Sequence, residues 1–121
     1  NSVFFADLDW KLLMKTIRNH SVKYSEISKF PAVSRDLALL IDQNVEFARI
    51  EQVAYQAEKK LLKSVTLFDV YEGKNLPAGK KSYAVNFILQ DTEKTMSEKA
   101  IDAIMQKLIQ QLTKQLGAEL R

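Results

Sequence analysis

From Arg35 onward, apolar and polar positions alternate in two different rhythms, and the switches between them divide the chain into elements. In RDLALLID, Leu37, Leu39 and Ile41 alternate with Asp36, Ala38, Leu40 and Asp42, the period of a strand buried on one side. Glu46 to Leu62 changes to helical spacing, with Phe47, Ile50, Val53, Ala54, Ala57 and Leu61 on one stripe and Glu51, Glu58, Lys59 and Lys60 off it. SVTLFDVY, rich in β-branched and aromatic residues, predicts a second strand ending at Glu72-Gly73. SYAVNFILQ predicts a third, sending Tyr83, Val85, Phe87 and Leu89 one way and Ala84, Asn86, Ile88 and Gln90 the other. Thr95 and Glu98 have the spacing of a capping box. Behind them Ile101, Ile104, Met105, Leu108, Leu112 and Leu116 hold one helical stripe until Gly117, a left-handed stop. AELR then predicts a last short strand.

The order is β-α-β-β-α-β, which predicts an α+β fold of the ferredoxin-like split βαβ type, an antiparallel sheet with both helices on one face. The other face must meet water, another domain or a ligand. Ala38, Leu40, Ala84, Asn86, Ile88 and Gln90 fall on it, too polar for a dry core and too apolar for a plain solvent face. Such a surface suits contact with something flat.

Upstream the pattern is less regular. Val3 to about Ser28 reads as a short strand followed by a helix that Asp7 caps, with Leu8, Leu12, Leu13 and Ile17 on one side. A polar connection, HSVKYSEISKF, runs to Pro31, and a proline there biases Phe30 toward extended backbone. Residues 1–29 are therefore expected to be a linker or the end of a preceding region, and 30–121 the domain. The abrupt, aromatic opening NSVFFADLDW reads as a domain cut from a longer chain.

Composition narrows the function classes. The 121 residues, 46% hydrophobic and 27% charged, suffice for one domain with a real core. The net charge of +3 permits a polyanionic partner without demanding one. There is no cysteine, hence no disulfide, thiolate metal site or cysteine nucleophile. The single histidine, His20, lies in the linker with no nucleophile beside it, so neither a zinc site nor a Ser-His arrangement has a basis. Asp7/Asp9 and Asp91/Glu93 sit where caps and helix dipoles account for them. No phosphate-cradling glycine motif occurs among three glycines. SYAVNFILQ lacks the basic-Gly-aromatic opening of an RNA-recognition strand. A small-molecule regulatory domain of this topology stays open, although IDQNVEF lacks the glycine such domains commonly place after the first strand. A purely structural docking domain also stays open. The loop EGKNLPAGKKS gathers Lys74, Lys80 and Lys81 at one end of the expected sheet, where lysines can neutralise a phosphate backbone.

FPAVSRDLALLID, LFDVYEGKNLPAGKKSYAVNFILQD and T-M-S-E before a long helix ending GAELR together resemble one family, over about Phe30 to Arg121. It is the ferredoxin-fold anticodon-binding domain that closes the β subunit of bacterial phenylalanyl-tRNA synthetase. VFFADLDWKLLM resembles the stretch that precedes that domain. Asn86 and Gln90 stand where the family often has arginine or another polar residue, and Met96 replaces a usual leucine. The resemblance implies a non-catalytic, tRNA-binding part of a cytoplasmic ligase. Its ATP and Mg2+ lie elsewhere, in the α subunit of an (αβ)2 assembly, and this fragment holds no cofactor, metal or membrane contact of its own. The expected partner is the anticodon stem-loop of tRNA(Phe), with unstacked bases lying on the sheet and basic side chains on the backbone. The expected contacts are Arg35, Lys80 and Lys81 to phosphates, Asn86 and Gln90 to base edges, and Tyr71 as a stacking ring. Arg35 pairing with Asp36, and Tyr71 in the core, are the competing structural roles.

Overall fold

The computed structural model describes residues 2–121. Its elements are α1 (Trp10–Ile17), β1 (Val33–Asp42), α2 (Phe47–Ala57), β2 (Leu62–Tyr71), β3 (Lys80–Leu89), α3 (Glu98–Leu116) and β4 (Glu119–Leu120). The strands form one antiparallel sheet in the order β2-β3-β1-β4. This is the expected ferredoxin-like arrangement, with both long helices on one face.

The register explains which side chains are buried. Along β1 and β3, Leu37 faces Val85, Leu39 faces Tyr83 and Ile41 faces Lys81 across the ladder. With Val65, Phe87 and Leu89 these side chains meet Ile50, Val53 and Ala54 of α2 and Ile101, Ile104, Met105, Leu108 and Leu112 of α3 in one core. Phe87, Val85 and Leu89 are wholly buried. The period-two and period-3.6 stripes of the sequence are the two halves of that core.

Several boundaries differ from expectation, each for a local reason. α2 stops at Ala57 instead of running to Leu62. The Glu58 carboxylate accepts hydrogen bonds from the amides of Lys60 (3.2 Å) and Leu61 (3.3 Å), closing a turn. Leu62 is thereby freed to pair with Leu89 as the first residue of β2. At α3 the cap is not Thr95 but Ser97, and the Ser97 hydroxyl accepts from the Ala100 amide at 3.3 Å. Glu98 does not reach back to a Thr95 cap; its carboxylate takes Arg35 Nη2 at 2.8 Å. Replacing Ser97 by alanine is expected to lower stability by about 1 kcal/mol, read as a shift in the urea midpoint at unchanged slope. Gly117 does end α3 in the left-handed region, at φ 62°, and its amide reaches Thr113 O at 2.9 Å.

The N-terminal region departs further. No strand forms between Val3 and Leu8, because no partner strand is available and Val3, Phe4 and Phe5 are exposed. α1 is capped by Asp9, not Asp7, with Asp9 Oδ1 accepting from the Leu12 amide at 3.0 Å. Its apolar stripe is real, yet none of its residues is buried. The chain becomes attached to the sheet only at its approach to β1, where Gln90 Nε2 donates to the Phe30 carbonyl at 2.8 Å. Among the described residues no helix is long and apolar enough to cross a membrane.

Candidate nucleic-acid interface

The face of the sheet away from α2 and α3 is built in rows that the register defines. Ser64, Ile88 and Ser34 form one row, and Thr66, Asn86 and Asp36 the next. Asp69, Ala84 and Ala38 follow, then Tyr71, Ser82, Leu40 and Glu119, and finally Lys80 beside Asp42. Small residues in the middle leave a flat floor, and no helix covers it.

β2 supplies the aromatic edge of this floor through an irregularity. Between Leu67 and Asp69 the pairing with β3 shifts by one residue, so Leu67 opposes Val85 while Asp69 opposes Ala84. The extra residue at this β-bulge is Phe68. Strict alternation would separate Phe68 from Tyr71, three positions on. The bulge instead brings both to the open side, where Phe68 is 59% and Tyr71 40% exposed. Phe68 borders a shallow depression of about 370 Å³ that it lines with Asp36, Thr66 and Asn86. The Tyr71 ring lies against Gly73, where an added Cβ would collide with the phenol and require the ring to shift. The Arg121 guanidinium carbon sits 5.5 Å from the centre of the same ring, a cation–π distance.

The six residues expected to contact RNA separate into two groups. Tyr71, Lys80 and Asn86 share the open face. Lys80 is partly exposed there, with Nζ 4.0 Å from Glu119, a loose pair of small energetic weight. Asn86 Nδ2 donates to Ser34 Oγ at 2.5 Å and to Asp36 Oδ1 at 2.6 Å. Arg35, Lys81 and Gln90 are engaged elsewhere. Arg35 opposes the buried Phe87 on the helix side and pairs with Glu98 of α3, not with Asp36. Lys81 is only 7% exposed, and its Nζ lies 4.6 Å from the centre of the Tyr83 ring, which in turn meets Phe47 edge-on. The side chain of Gln90 is spent on Phe30. Two residues of the platform escaped the sequence reading, Phe68 and Arg121. Alternation from Thr66 already places Phe68 on the open face, and the bulge adds Tyr71 to it; the one signal of the bulge is two aromatic residues at odd spacing within an otherwise alternating strand. Among the described residues no group of three His, Cys, Asp or Glu is placed to hold a metal ion.

Residues 28–121 match the ferredoxin-fold anticodon binding domain family. The chain belongs to that family. It is also similar over its whole length to phenylalanine–tRNA ligase beta subunits. Identity is 65% over 121 residues for the Bacteroides fragilis protein and 64% for that of Bacteroides thetaiotaomicron; each match takes in 100% of this chain and 15% of the relative. For the Porphyromonas gingivalis protein it is 55% over 119 residues, 98% of this chain and 14% of the relative. The chain thus spans about 15% of the length of the curated relatives it matches. The face of the sheet free of α2 and α3 is the one that carries Phe68, Tyr71 and Asn86.

Proposed function

We propose that this chain is the anticodon stem-loop-binding domain of a phenylalanine–tRNA ligase β subunit and contributes tRNA(Phe) recognition to ATP-dependent aminoacylation. The observation that carries the reading is an uncovered sheet face with two exposed aromatic rings at its edge and small side chains across its floor. Unstacked bases are held on such platforms by π-stacking that tolerates sequence, while cations at the rim neutralise phosphate. Tyr71 is the stacking ring, Lys80 the phosphate contact, and Asn86 borders the bases. Arg35, Lys81 and Gln90 serve the fold: Arg35 ties β1 to α3, Lys81 closes the core over Tyr83, and Gln90 anchors the incoming chain.

The same reading assigns residues 1–29 to the end of the preceding part of the subunit, consistent with an α1 whose apolar stripe is left bare. It places the enzyme in the cytoplasm as an (αβ)2 assembly, with ATP and Mg2+ bound by the α subunit. This chain's own share is to bind and orient the tRNA, with no bond made or broken on it.

Binding of tRNA(Phe), measured against salt concentration, tests the proposal. The expected plot of log K against log[salt] falls steeply. Lys80→Ala lessens the slope by roughly one phosphate contact, whereas Lys81→Met leaves the slope unchanged and shows its effect in thermal stability. Binding that ignores salt, or no binding at low salt, overturns the reading.

A further inference from the structure

We propose that the cavity between the α2–β2 turn and the β3–α3 loop binds a free α-amino acid with an apolar side chain, its ammonium held at Asp91 and its carboxylate at the start of α3. The site is independent of the RNA-binding reading. It lies at the end of the sheet where Leu62 pairs with Leu89, whereas Tyr71 and Ser82 pair at the opposite end.

The cavity, about 410 Å³, is lined by Lys60 and Leu61 from the turn, Asp91, Lys94 and Met96 from the loop, and Ala100 from the first turn of α3. That size falls within the range of small-molecule sites. Its two walls are tied together by the Gln90 amide, which donates to the Leu61 carbonyl at 2.8 Å, so the space exists before any ligand arrives.

Asp91 is the residue that asks for a ligand. It is only 7% exposed. Its Oδ1 accepts from the Glu93 amide at 2.9 Å. Its Oδ2 has no hydrogen-bond partner, and none of the ion pairs among the described residues includes Asp91. No side-chain oxygen among those residues is both sealed from solvent and unpaired, so the free oxygen opens onto the cavity that Asp91 lines. Taking a carboxylate from water is costly unless donors replace the water, and a primary ammonium carries three N–H groups.

The rest of the lining excludes a simple amine. Lys60 and Lys94 border the same space, Lys60 loosely paired with Glu93 at 3.8 Å and Lys94 in no ion pair. Two cations repel a ligand whose only charge is positive, and Asp91 repels one whose only charge is negative. A molecule with both charges on one carbon meets both demands. Its carboxylate has a receptor in α3, a helix of 19 residues whose N-terminus favours negative charge. The Ser97 hydroxyl takes the Ala100 amide and the Ser97 carbonyl that of Ile101, which leaves the amides of Glu98 and Lys99 without an acceptor. Leu61, Met96 and Ala100 supply an apolar wall for the side chain, which rewards apolar area.

The test follows the amide signals of the chain by NMR as L-leucine or L-phenylalanine is added, beside the N-acetyl and carboxamide forms of each, which lack one of the two charges. Both free amino acids are expected to shift the signals of Leu61, Lys94 and Ser97 saturably, and each blocked form to bind roughly tenfold more weakly. Asp91→Asn keeps an oxygen for the Glu93 amide and removes the charge. It is expected to weaken the free amino acids about tenfold while leaving the N-acetyl forms, which bring no ammonium, within about twofold. The preference for two charges is read on the unaltered chain, so it is decided even where the variant fails to fold. No saturable shift at these residues, blocked forms that bind as well as the free ones, or an Asp91→Asn chain that weakens every form alike overturns the site.

Discussion

Phe87→Ala is expected to cost about 3–5 kcal/mol, which for a domain whose whole stability is on the order of 5–15 kcal/mol leaves a marginal or unfolded protein. Phe87 is the largest side chain that is completely buried. It lies on the inner strand β3, with Arg35 of β1 on one flank and Val65 of β2 on the other, and α2 and α3 close over it. Truncation opens a void that no neighbour can fill, because the side chains around it belong to a sheet and two helices that are fixed by their own hydrogen bonds. Phe87→Leu retains most of the apolar volume and should cost less than half as much. Urea unfolding followed by circular dichroism measures both. A loss below about 1.5 kcal/mol for the alanine variant would mean that the sheet and helices are not joined through a single core as the register places them.

The residues of that core were legible in the sequence because periodicity is a property of the whole element, and one displaced residue does not erase it. Leu39, Ile41, Val85, Leu89, Ile101 and Leu108 are buried as their stripes require. The order of elements also determined the sheet, since β-α-β-β-α-β has few ways to cover one face of an antiparallel sheet with two helices. Ends of elements were harder, because they depend on single side-chain hydrogen bonds. Thr95, Ser97, Asp7 and Asp9 all have the chemistry of a cap, and only the backbone path chooses Ser97 and Asp9. The stripe of α2 continued as far as Leu61 in spacing, but Glu58 turned the chain before it.

The open face of the sheet was legible in the sequence, but which side chains lie on it was not. That the face bearing Ala84, Asn86 and Leu40 is open followed from alternation alone. Which charged residues reach it did not. Lys80 and Lys81 are adjacent, and in a strand adjacent residues must point to opposite sides. A lysine-rich loop that continues into a strand can therefore place only one of such a pair on the ligand's side. Lys81 takes the other side, its stem covered and its ammonium over Tyr83, an arrangement long aliphatic stems permit. Arg35 follows the same parity: the residue that opposes Phe87 belongs to the helix side whatever its charge. Tyr71 shows the converse: alternation continued from Thr66 would put it on the helix side, and a register shift at one bulge turns it to the open face without changing any letter around it.

Tyr71→Ala is expected to weaken binding of the tRNA(Phe) anticodon stem-loop by about 1–3 kcal/mol, roughly five- to more than a hundredfold, with the thermal transition little changed. The ring contributes nothing to the core; it lies across the open face, bounded by Gly73 and the Arg121 guanidinium. Those two contacts hold the ring in place before any ligand arrives, so a base that stacks on it loses little of its gain to ordering the tyrosine. Tyr71→Phe keeps the π-surface and should bind within about threefold of the unaltered chain, which separates stacking from any hydrogen bond of the phenol. Gly73→Ala should resemble Tyr71→Ala in binding although the ring is still present, because its methyl group would occupy the space of the phenol and drive the ring from its seat. A docking domain whose open face is covered by protein would give a different pattern. Neither variant would alter RNA binding, and both would weaken assembly with the remaining subunit. Gel-shift titrations of the anticodon stem-loop alongside melting curves for these variants distinguish the two, and unchanged RNA affinity for Tyr71→Ala would remove the stacking platform from the account.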